Sequence, residues 1–322
     1  MKIGIIGAGS IATSMATTLY GMDDAEGYAI AARDLGRAKE FAEQWHMTKA
    51  YGSYEELVND PEVELIYIAT PHPFHKEQAM LCINHGKPIL CEKPFAVNAR
   101  DAKEVFDLAA EKGVFITEAI WTRFLPAMKI IREIIENGEI REVKGVTAKL
   151  GFNMRTKERL ISPDLAGGAL LDVGIYPLTF ASMILGDDIE ETLSTCVKFD
   201  SGVDAQNSIL LKYKSGALAS LQSSALTGMD PYNVIYGTKG YLIAESCNNI
   251  RSIRLYSPMG ELVRDIPVPE QITGYEYEVR ASMKAIREGK LECTQMPHAE
   301  TLRIMEQMDG LRKDWGIRYP FE

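Results

Sequence analysis

A glycine loop directly after a short β-rich run, at the start of the chain, constrains the fold more than any other feature. The run is Lys2–Ile6 and the loop is Gly7-Ala8-Gly9-Ser10-Ile11-Ala12. In this Gly-x-Gly-x-x-Ala pattern the first glycine permits a tight turn, the second lets the backbone approach a pyrophosphate, and the alanine keeps the next helix close to its strand. The N-terminus of that helix offers N–H groups to phosphates. The pattern predicts a dinucleotide-binding βα unit with cofactor contacts at Gly7, Gly9, Ser10 and Ile11.

Strand and helix patterns then alternate up to residue 118. The predicted strands are Tyr28–Ala32, Val63–Ala69, Lys87–Leu90 and Val114–Thr117, and the predicted helices include Tyr54–Asn59 and Ala99–Lys112. This alternation is typical of a parallel, doubly wound sheet with helices on its faces. We therefore predict an N-terminal Rossmann domain over residues 1–118.

Beyond Val143 the apolar period changes from helical to two. The alternating runs are Val146–Leu150, Ser208–Tyr213, Ala217–Gln222, Tyr232–Tyr236 and Ile253–Tyr256. Period-two runs joined by glycine turns indicate an antiparallel sheet. Helical patterns at Pro126–Asn137, Glu276–Glu288 and His298–Trp315 accompany it. The predicted fold class is α/β, with a C-terminal α+β domain over residues 119–322 built on a large, open, mostly antiparallel sheet.

The end of the second predicted strand selects the cofactor. NAD enzymes usually place an acid there to bind the ribose hydroxyls, but this chain has Ala32-Arg33, with Arg37 one helical turn further on. Two guanidinium groups match the 2′-phosphate of NADP, because they donate charge-assisted hydrogen bonds to it. NADP is therefore the predicted cofactor, bound by Arg33 and Arg37. NAD stays open, because a shift of one residue would put Asp34 in the position of the acid.

Two loops follow neighbouring predicted strands at the same sheet edge. One is Thr70-Pro71-His72-Pro73-Phe74-His75, and the other is Cys91-Glu92-Lys93-Pro94, where the proline restricts Lys93 to extended geometry. Ligands of open α/β sheets bind outside the carboxyl ends of the strands. Residues predicted at the cofactor pocket are therefore Thr70, His72, His75, Glu92 and Lys93. No metal is predicted, because the His-x-x-His pair has no cysteine or acidic partner at metal-like spacing.

Three motifs, in order along the chain, resemble the Gfo/Idh/MocA oxidoreductase family. They are Glu92-Lys93-Pro94, Glu118-Ala119-Ile120-Trp121-Thr122-Arg123-Phe124 and Gly167-Gly168-Ala169-Leu170-Leu171-Asp172-Val173-Gly174-Ile175-Tyr176. Within that family they look most like the dimeric dihydrodiol dehydrogenases and the NADP-dependent D-xylose dehydrogenases. The resemblance implies hydride transfer between NADP and a sugar or cyclic diol. It also implies a homodimer through the open sheet, or a higher homo-oligomer built from it.

The predicted chemistry needs a base for the hydroxyl proton, because the cofactor supplies only the hydride acceptor. Free tyrosine has a pKa of about 10, which a nearby ammonium lowers. We expect Tyr176 to be the general acid/base, Lys93 to depress its pKa and hold the substrate oxygen, and Asp172 to orient substrate hydroxyls. Asp172 and Tyr176 are four residues apart in a predicted helix, hence on one face. Trp121 is expected to stack on the nicotinamide or substrate and Arg123 to hold a hydroxyl or phosphate, although packing between domains accounts for Trp121 equally well.

Composition excludes some partners and indicates a compartment. A net charge of −10 argues against nucleic acid, whose phosphates need a basic face. Five widely spaced cysteines without a Cys-x-x-Cys pair favour reduced thiols in the cytoplasm. No signal peptide is recognised, and no apolar run is expected to span a membrane.

The residues leave three functions open. The favoured one is an NADP-dependent dehydrogenase of a sugar or cyclic diol. The second is an NAD-dependent inositol or sugar-ketone oxidoreductase, and the third is a cofactor-binding sensor without catalysis. An intact Lys93 and Tyr176 argue against a sensor, which needs no acid/base pair. The basic residues Arg155, Lys157 and Arg159 indicate either a phosphorylated substrate or a solvated loop.

Overall fold

The computed structural model describes all 322 residues, which group into two compact units. The first unit contains residues 1–120 and 271–306, and the second contains residues 121–270 and 307–322. Residues 271–306, which the sequence analysis assigned to the second domain, therefore cluster with the dinucleotide-binding half. An amphipathic pattern specifies which face of a helix is buried, but it does not specify which partner covers that face.

The first unit is built on a six-stranded, wholly parallel sheet. Its strands are β1 (Lys2–Ile6), β2 (Glu26–Ala31), β3 (Lys49–Tyr51), β4 (Leu65–Ile68), β5 (Ile89–Glu92) and β6 (Ile116–Ala119), and its helices are α1 (Ser10–Tyr20), α2 (Leu35–Gln44), α3 (Tyr54–Val58), α4 (His75–Asn84) and α5 (Ala99–Lys112). The strand order is β3-β2-β1-β4-β5-β6, so the order reverses between β1 and β4. A ligand crevice is expected at such a point, outside the carboxyl ends of the strands. The predicted Rossmann sheet is confirmed.

The second unit is built on an eight-stranded sheet. Its strands are β7 (Val143–Gly151), β8 (Ile189–Lys198), β9 (Asp204–Tyr213), β10 (Leu218–Ser224), β11 (Tyr232–Gly237), β12 (Gly240–Glu245), β13 (Ile253–Tyr256) and β14 (Leu262–Ile266), and its helices are α6 (Pro126–Glu136), α7 (Glu158–Ile161) and α8 (Ile175–Leu185). The strand order is β14-β13-β12-β11-β7-β10-β9-β8, and every pairing except β7 with β10 is antiparallel. The predicted large, mostly antiparallel sheet is confirmed.

One face of this sheet is buried and the other is open. A row of directly paired residues crosses six strands on the buried face: Leu211, Ala219, Val146, Ile235, Leu242 and Leu255. Each of them is at most 6% exposed. Because strand side chains alternate between faces, the residues between them point to the open face.

Two helices close the chain, α9 (Glu276–Arg287) and α10 (His298–Asp314). Val279 and Met283 of α9 join the core of the first unit, where they pack with Ile3, Tyr67 and Leu90. This packing accounts for the assignment of α9 to the dinucleotide-binding half.

One apolar segment, Pro163–Leu185, has the length and hydropathy of a membrane span, which the sequence analysis did not expect. Its most apolar window is 72% buried inside the protein. The core helix of a globular domain has the same length and composition, and burial of this degree is what such a helix shows.

Candidate active site

The glycine loop after β1 is shaped by backbone constraints at two glycines. Gly7 has φ +97°, and a Cβ there would lie 2.9 Å from Thr70 Cγ2 and 3.2 Å from the Ala69 carbonyl oxygen. Gly9 precedes α1, and a Cβ there would meet no protein atom within 4 Å. No side chain caps the N-terminus of α1. The loop therefore leaves open space at Gly9, where a pyrophosphate needs close backbone approach.

The charged residues after β2 differ in their contacts within the protein. Asp34 is the N-cap of α2, and its Oδ1 accepts a hydrogen bond from the Arg37 backbone N–H at 2.7 Å. The Arg37 guanidinium donates through Nη2 to the Ala8 carbonyl oxygen at 2.7 Å, so it lies against the glycine loop. Arg33 is exposed. Asp34 thus contributes a helix cap, which gives it a structural reason to be an acid.

The loop after β5 is held by two buried carboxylates. Glu92 accepts hydrogen bonds from the Tyr67 hydroxyl and, at 3.0 Å, from the Lys93 backbone N–H. Glu118 accepts from the Phe95 backbone N–H at 2.9 Å and from the Thr301 hydroxyl at 3.0 Å. The Lys93–Pro94 peptide bond is cis. The backbone on both sides of that bond is therefore anchored to the sheet.

His75 connects the loops after β4 and β5. Its Nε2 lies 2.8 Å from the Thr70 carbonyl oxygen and its Nδ1 lies 3.1 Å from the Pro94 carbonyl oxygen. Burial lowers the pKa of His75, because it disfavours the charged ring. His72 is also buried, in a short 3₁₀ turn, and the Thr70 hydroxyl donates to Gln78. The structure thus gives His75 a bridging role, and contact of these residues with a cofactor stays a prediction.

In the second unit, Asp172 lies in a π-helix, Leu170–Gly174, which runs directly into α8. A helix was predicted here and is present, but its first turn is a π-helix and not an α-helix. The one-face relation of Asp172 and Tyr176 assumed 3.6 residues per turn, whereas a π-helix has i→i+5 hydrogen bonds. Tyr176 is the second residue of α8 and is 9% exposed.

Arg159 makes a two-point ion pair with Asp172. Its Nη1 and Nη2 donate to the two carboxylate oxygens at 2.5 and 3.2 Å. The Asp172 side chain is 10% exposed and that of Arg159 is 48% exposed. The sequence analysis left Arg159 as a ligand for a phosphorylated substrate or a solvated residue, and the structure instead pairs it with a predicted site residue.

Asp204, which the sequence analysis missed, anchors the π-helix. Its Oδ2 accepts hydrogen bonds from the Leu170 backbone N–H at 2.8 Å and from Asn207 Nδ2 at 2.9 Å. Burial raises the pKa of Asp204 to about 6, although these hydrogen bonds oppose the shift. No signal in the sequence pointed to Asp204, because Ile209 and Leu211 on the buried face of this strand are odd-numbered and the alternation therefore assigns Asp204 to the open face.

Trp121 and Arg123 lie in a 3₁₀ turn, Trp121–Phe124, at the start of the second unit. Both side chains are half-buried. The Thr122 hydroxyl between them donates to the Asn248 carbonyl oxygen at 2.7 Å and holds the turn. The predicted contacts of Trp121 and Arg123 with cofactor or substrate stay predictions.

A doubly wound sheet with this glycine loop, combined with an open eight-stranded sheet, defines a two-unit dinucleotide-binding protein. Residues 1–119 match the model of the GFO/IDH/MocA oxidoreductase family, NAD-binding Rossmann fold, and residues 128–243 match the GFO/IDH/MocA C-terminal domain. The chain belongs to the Gfo/Idh/MocA oxidoreductase family. The resemblance inferred from the three sequence motifs is thereby confirmed.

Comparison with individual proteins agrees with this family assignment along nearly the whole chain. The chain is 37% identical to trans-1,2-dihydrobenzene-1,2-diol dehydrogenase of Mus musculus and 34% identical to that of Homo sapiens, covering 99% of this chain and 98% of each relative. Among solved structures, a 3-ketoreductase from Actinomadura kijaniata in complex with NADP and TDP-benzene superposes with a TM-score of 0.87 at 23% identity, over 97% of both chains. An aldose-aldose oxidoreductase from Caulobacter crescentus also reaches 0.87, at 19% identity, over 98% of this chain and 97% of that one. These two structures support the fold.

Proposed function

We propose that the protein is an NADP-dependent dehydrogenase that transfers a hydride between the nicotinamide and a CH–OH group of a sugar or cyclic diol. The observation that carries this proposal is the full-length similarity to trans-1,2-dihydrobenzene-1,2-diol dehydrogenases at 33–37% identity. The similarity extends over 99% of the chain, so the compared region contains both the glycine loop and the second unit. Interconversion of an alcohol and a carbonyl group is the chemistry common to the names of these relatives and of the ketoreductase and aldose enzymes of similar fold.

The glycine loop fits a dinucleotide. The open space at Gly9 and the uncapped N-terminus of α1 suit a pyrophosphate. The Arg37 guanidinium lies against the same loop, and Arg33, four residues before Arg37, is exposed. These two guanidinium groups would hold the 2′-phosphate of NADP. The carboxylate of Asp34 is engaged as a helix cap, which favours NADP over NAD. When bound, the nicotinamide supplies the hydride acceptor or donor.

The protein's own side chains must move the proton and orient the alcohol. In the proposed mechanism the Tyr176 hydroxyl takes the substrate proton during oxidation and returns it during reduction. Lys93 stabilises the phenolate and holds the substrate oxygen. Asp172, which Arg159 holds through both carboxylate oxygens, orients the substrate hydroxyls. Arg159 thereby fixes the direction in which Asp172 accepts.

A turnover assay tests the function, with NADP and NAD compared across pentoses, hexoses, inositols and trans-dihydrodiols. Tyr176→Phe and Lys93→Met are expected to bind NADPH normally but to lose roughly a hundred- to ten-thousand-fold in kcat, because each removes proton transfer or its support. Tyr20→Phe and Lys103→Met, at exposed positions, are matched controls that keep wild-type turnover. Wild-type kcat in Tyr176→Phe would refute the assignment of the acid/base. Tight NADPH binding without turnover on any substrate would support a sensor instead.

We further propose that the protein is a homodimer through the open face of the eight-stranded sheet. Leu193, Leu210, Leu218 and Tyr236 lie on this face and are 37–56% exposed. A contiguous apolar surface of this kind is typical of an interaction site. The double variant Leu210→Glu/Leu218→Glu is expected to sediment as a monomer at concentrations where the wild type is a dimer. An unchanged sedimentation coefficient would contradict the proposal.

We also propose a cytoplasmic location, as the sequence analysis expected. All five cysteines are free, and four of them are buried. Free thiols are typical of a reducing compartment. Fractionation of source cells with an antibody to the protein tests the location.

A further inference from the structure

Glu278, in α9, is a buried acid that the proposed mechanism does not use. Its side chain is fully buried, and neither carboxyl oxygen has a hydrogen-bond partner. The neighbouring residues Val279 and Met283 pack into the apolar core of the first unit. An ionised carboxylate without a donor in such a place costs many kcal/mol, whereas a neutral carboxylic acid costs only a few.

Two other buried glutamates in the same neighbourhood differ from Glu278 in their donors. Glu276 accepts three backbone N–H groups, those of Ile272, Thr273 and Gly274, at 2.9, 3.1 and 2.7 Å. Glu92 accepts from the Tyr67 hydroxyl and the Lys93 N–H. Hydrogen bonds from donors favour the charged form of an acid. Among these three glutamates Glu278 alone lacks a hydrogen-bond donor, so the proton is assigned to Glu278.

The groups that face Glu278 reinforce this assignment. The charged groups that act on it are Glu92, at the end of β5, and Glu276, in its own helix, and both are negative. Tyr67 of β4, Tyr275 at the start of α9 and Cys293 also face it, and none of them is a cation. Burial first, and then these two negative charges, raise the pKa of Glu278 well above the usual range of a glutamate.

We propose that Glu278 is kept as a neutral carboxylic acid and is a positioning residue for Glu92. The reason is the electrostatic repulsion that two negative charges at Glu278 and Glu92 would produce. Glu92 is the group that holds the Lys93 backbone N–H, and a second negative charge at Glu278 would repel it from that position. A neutral Glu278 thus keeps the backbone at Lys93 in place. The consequence for catalysis rests on the proposed function of Lys93, but the protonation state of Glu278 does not.

Thermal unfolding from pH 5 to pH 9 tests the protonation state in Glu278→Gln, which mimics the neutral acid in shape and charge. A raised pKa in the folded state gives stability that is present below the unfolded pKa of about 4.3 and is lost as the pH rises above it. The wild type loses this stability as the pH rises, whereas the variant does not, because glutamine does not ionise. The melting temperature of Glu278→Gln minus that of the wild type is therefore expected to increase by roughly 2–4 °C per pH unit over this range.

Glu276→Gln is the matched control, because that carboxylate has three N–H donors and its amide is expected to lower the melting temperature at every pH. A difference between Glu278→Gln and wild type that does not change with pH would overturn the neutral state. So would a variant less stable than wild type at pH 8.

The positioning role is tested by the pH profile of kcat/KM. Wild-type activity is expected to decline at alkaline pH as Glu278 ionises, and this decline is expected to move to higher pH in Glu278→Gln, with NADPH affinity unchanged near neutrality. Superimposable profiles would overturn the positioning role. If no substrate is turned over, the proposed function fails, while the melting curves still decide the protonation state.

Discussion

Gly9→Ala is expected to weaken cofactor binding while the protein stays folded. Gly9 has φ −98° and ψ −171°, an extended conformation that alanine adopts without strain. The added Cβ would meet no protein atom within 4 Å. The cost to the free protein is therefore within about 1 kcal/mol, with the lower entropy of the unfolded chain offsetting a slightly poorer helix cap. The methyl group instead occupies the space that a bound pyrophosphate needs.

Gly7→Ala is the matched comparison, because the same atom is added two residues away in a different environment. At φ +97° an alanine is strained by about 1–3 kcal/mol. Its Cβ would also lie 2.9 Å from Thr70 Cγ2 and 3.2 Å from the Ala69 carbonyl oxygen, so the backbone must shift. We expect Gly7→Ala to lose roughly 5–10 °C in melting temperature, since about 1 kcal/mol corresponds to about 2–4 °C.

The assay for both variants is NADPH titration by fluorescence, together with thermal melting without cofactor. Gly9→Ala is expected to melt within about 3 °C of wild type and to bind NADPH at least about tenfold more weakly, a loss of about 1.4 kcal/mol or more. Wild-type NADPH affinity in Gly9→Ala would refute the reasoning, because it would mean that the pyrophosphate does not approach this loop. A large fall in melting temperature would refute the claim of free space at Gly9.

Two further predictions concern cofactor choice and the π-helix. Arg37→Ala is expected to weaken NADPH binding about ten- to a hundredfold more than NADH binding, because a charge-assisted contact is lost. Lys39→Ala on the same helix is the control and is expected to leave the ratio of the two affinities unchanged. Equal losses for both cofactors would contradict a 2′-phosphate role of Arg37. Asp204→Asn is expected to gain stability relative to wild type as pH rises from about 4 to 7. Burial raises the folded pKa of Asp204 from 3.8 to about 6, so wild-type stability is lost as pH rises through that range, by up to about 3 kcal/mol. Denaturant unfolding at pH 4 and pH 7 checks this, and a difference that is the same at both values would contradict it.

The sequence was sufficient for the elements with strong local patterns. The glycine loop, the buried parallel strands and the strand ends at Thr70 and Lys93 follow from composition and turn chemistry, and the structure has them where they were expected. Strand β8 was missed because most of its side chains are exposed on both faces, which removes the alternation of apolar and polar residues.

The π-helix and the grouping of α9 could not be read from the sequence for a different reason. The π-helix that carries Asp172 begins at Leu170, whose backbone N–H donates to Asp204, 34 residues away in the chain. The face of α9 that carries Val279 and Met283 has an ordinary helical pattern, which is compatible with either unit. In both cases the deciding interaction is between elements far apart in sequence, and periodicity within one element carries no information about it.

The predicted catalytic residues come from the sequence, whereas the groups that hold them were identified from hydrogen bonds in the structure. Lys93 and Asp172 were predicted from residue type and motif, because only certain side chains move protons or orient hydroxyls. The groups that hold their backbone are buried carboxylates, Glu92 for Lys93 and Asp204 for the turn that carries Asp172, and each accepts a backbone N–H. A buried acid that accepts an N–H acts through its charge, so its protonation state matters as much as its position. Changes at Glu92 and Asp204 are therefore expected to alter activity through the geometry of Lys93 and Asp172, even though neither acid needs to touch the substrate.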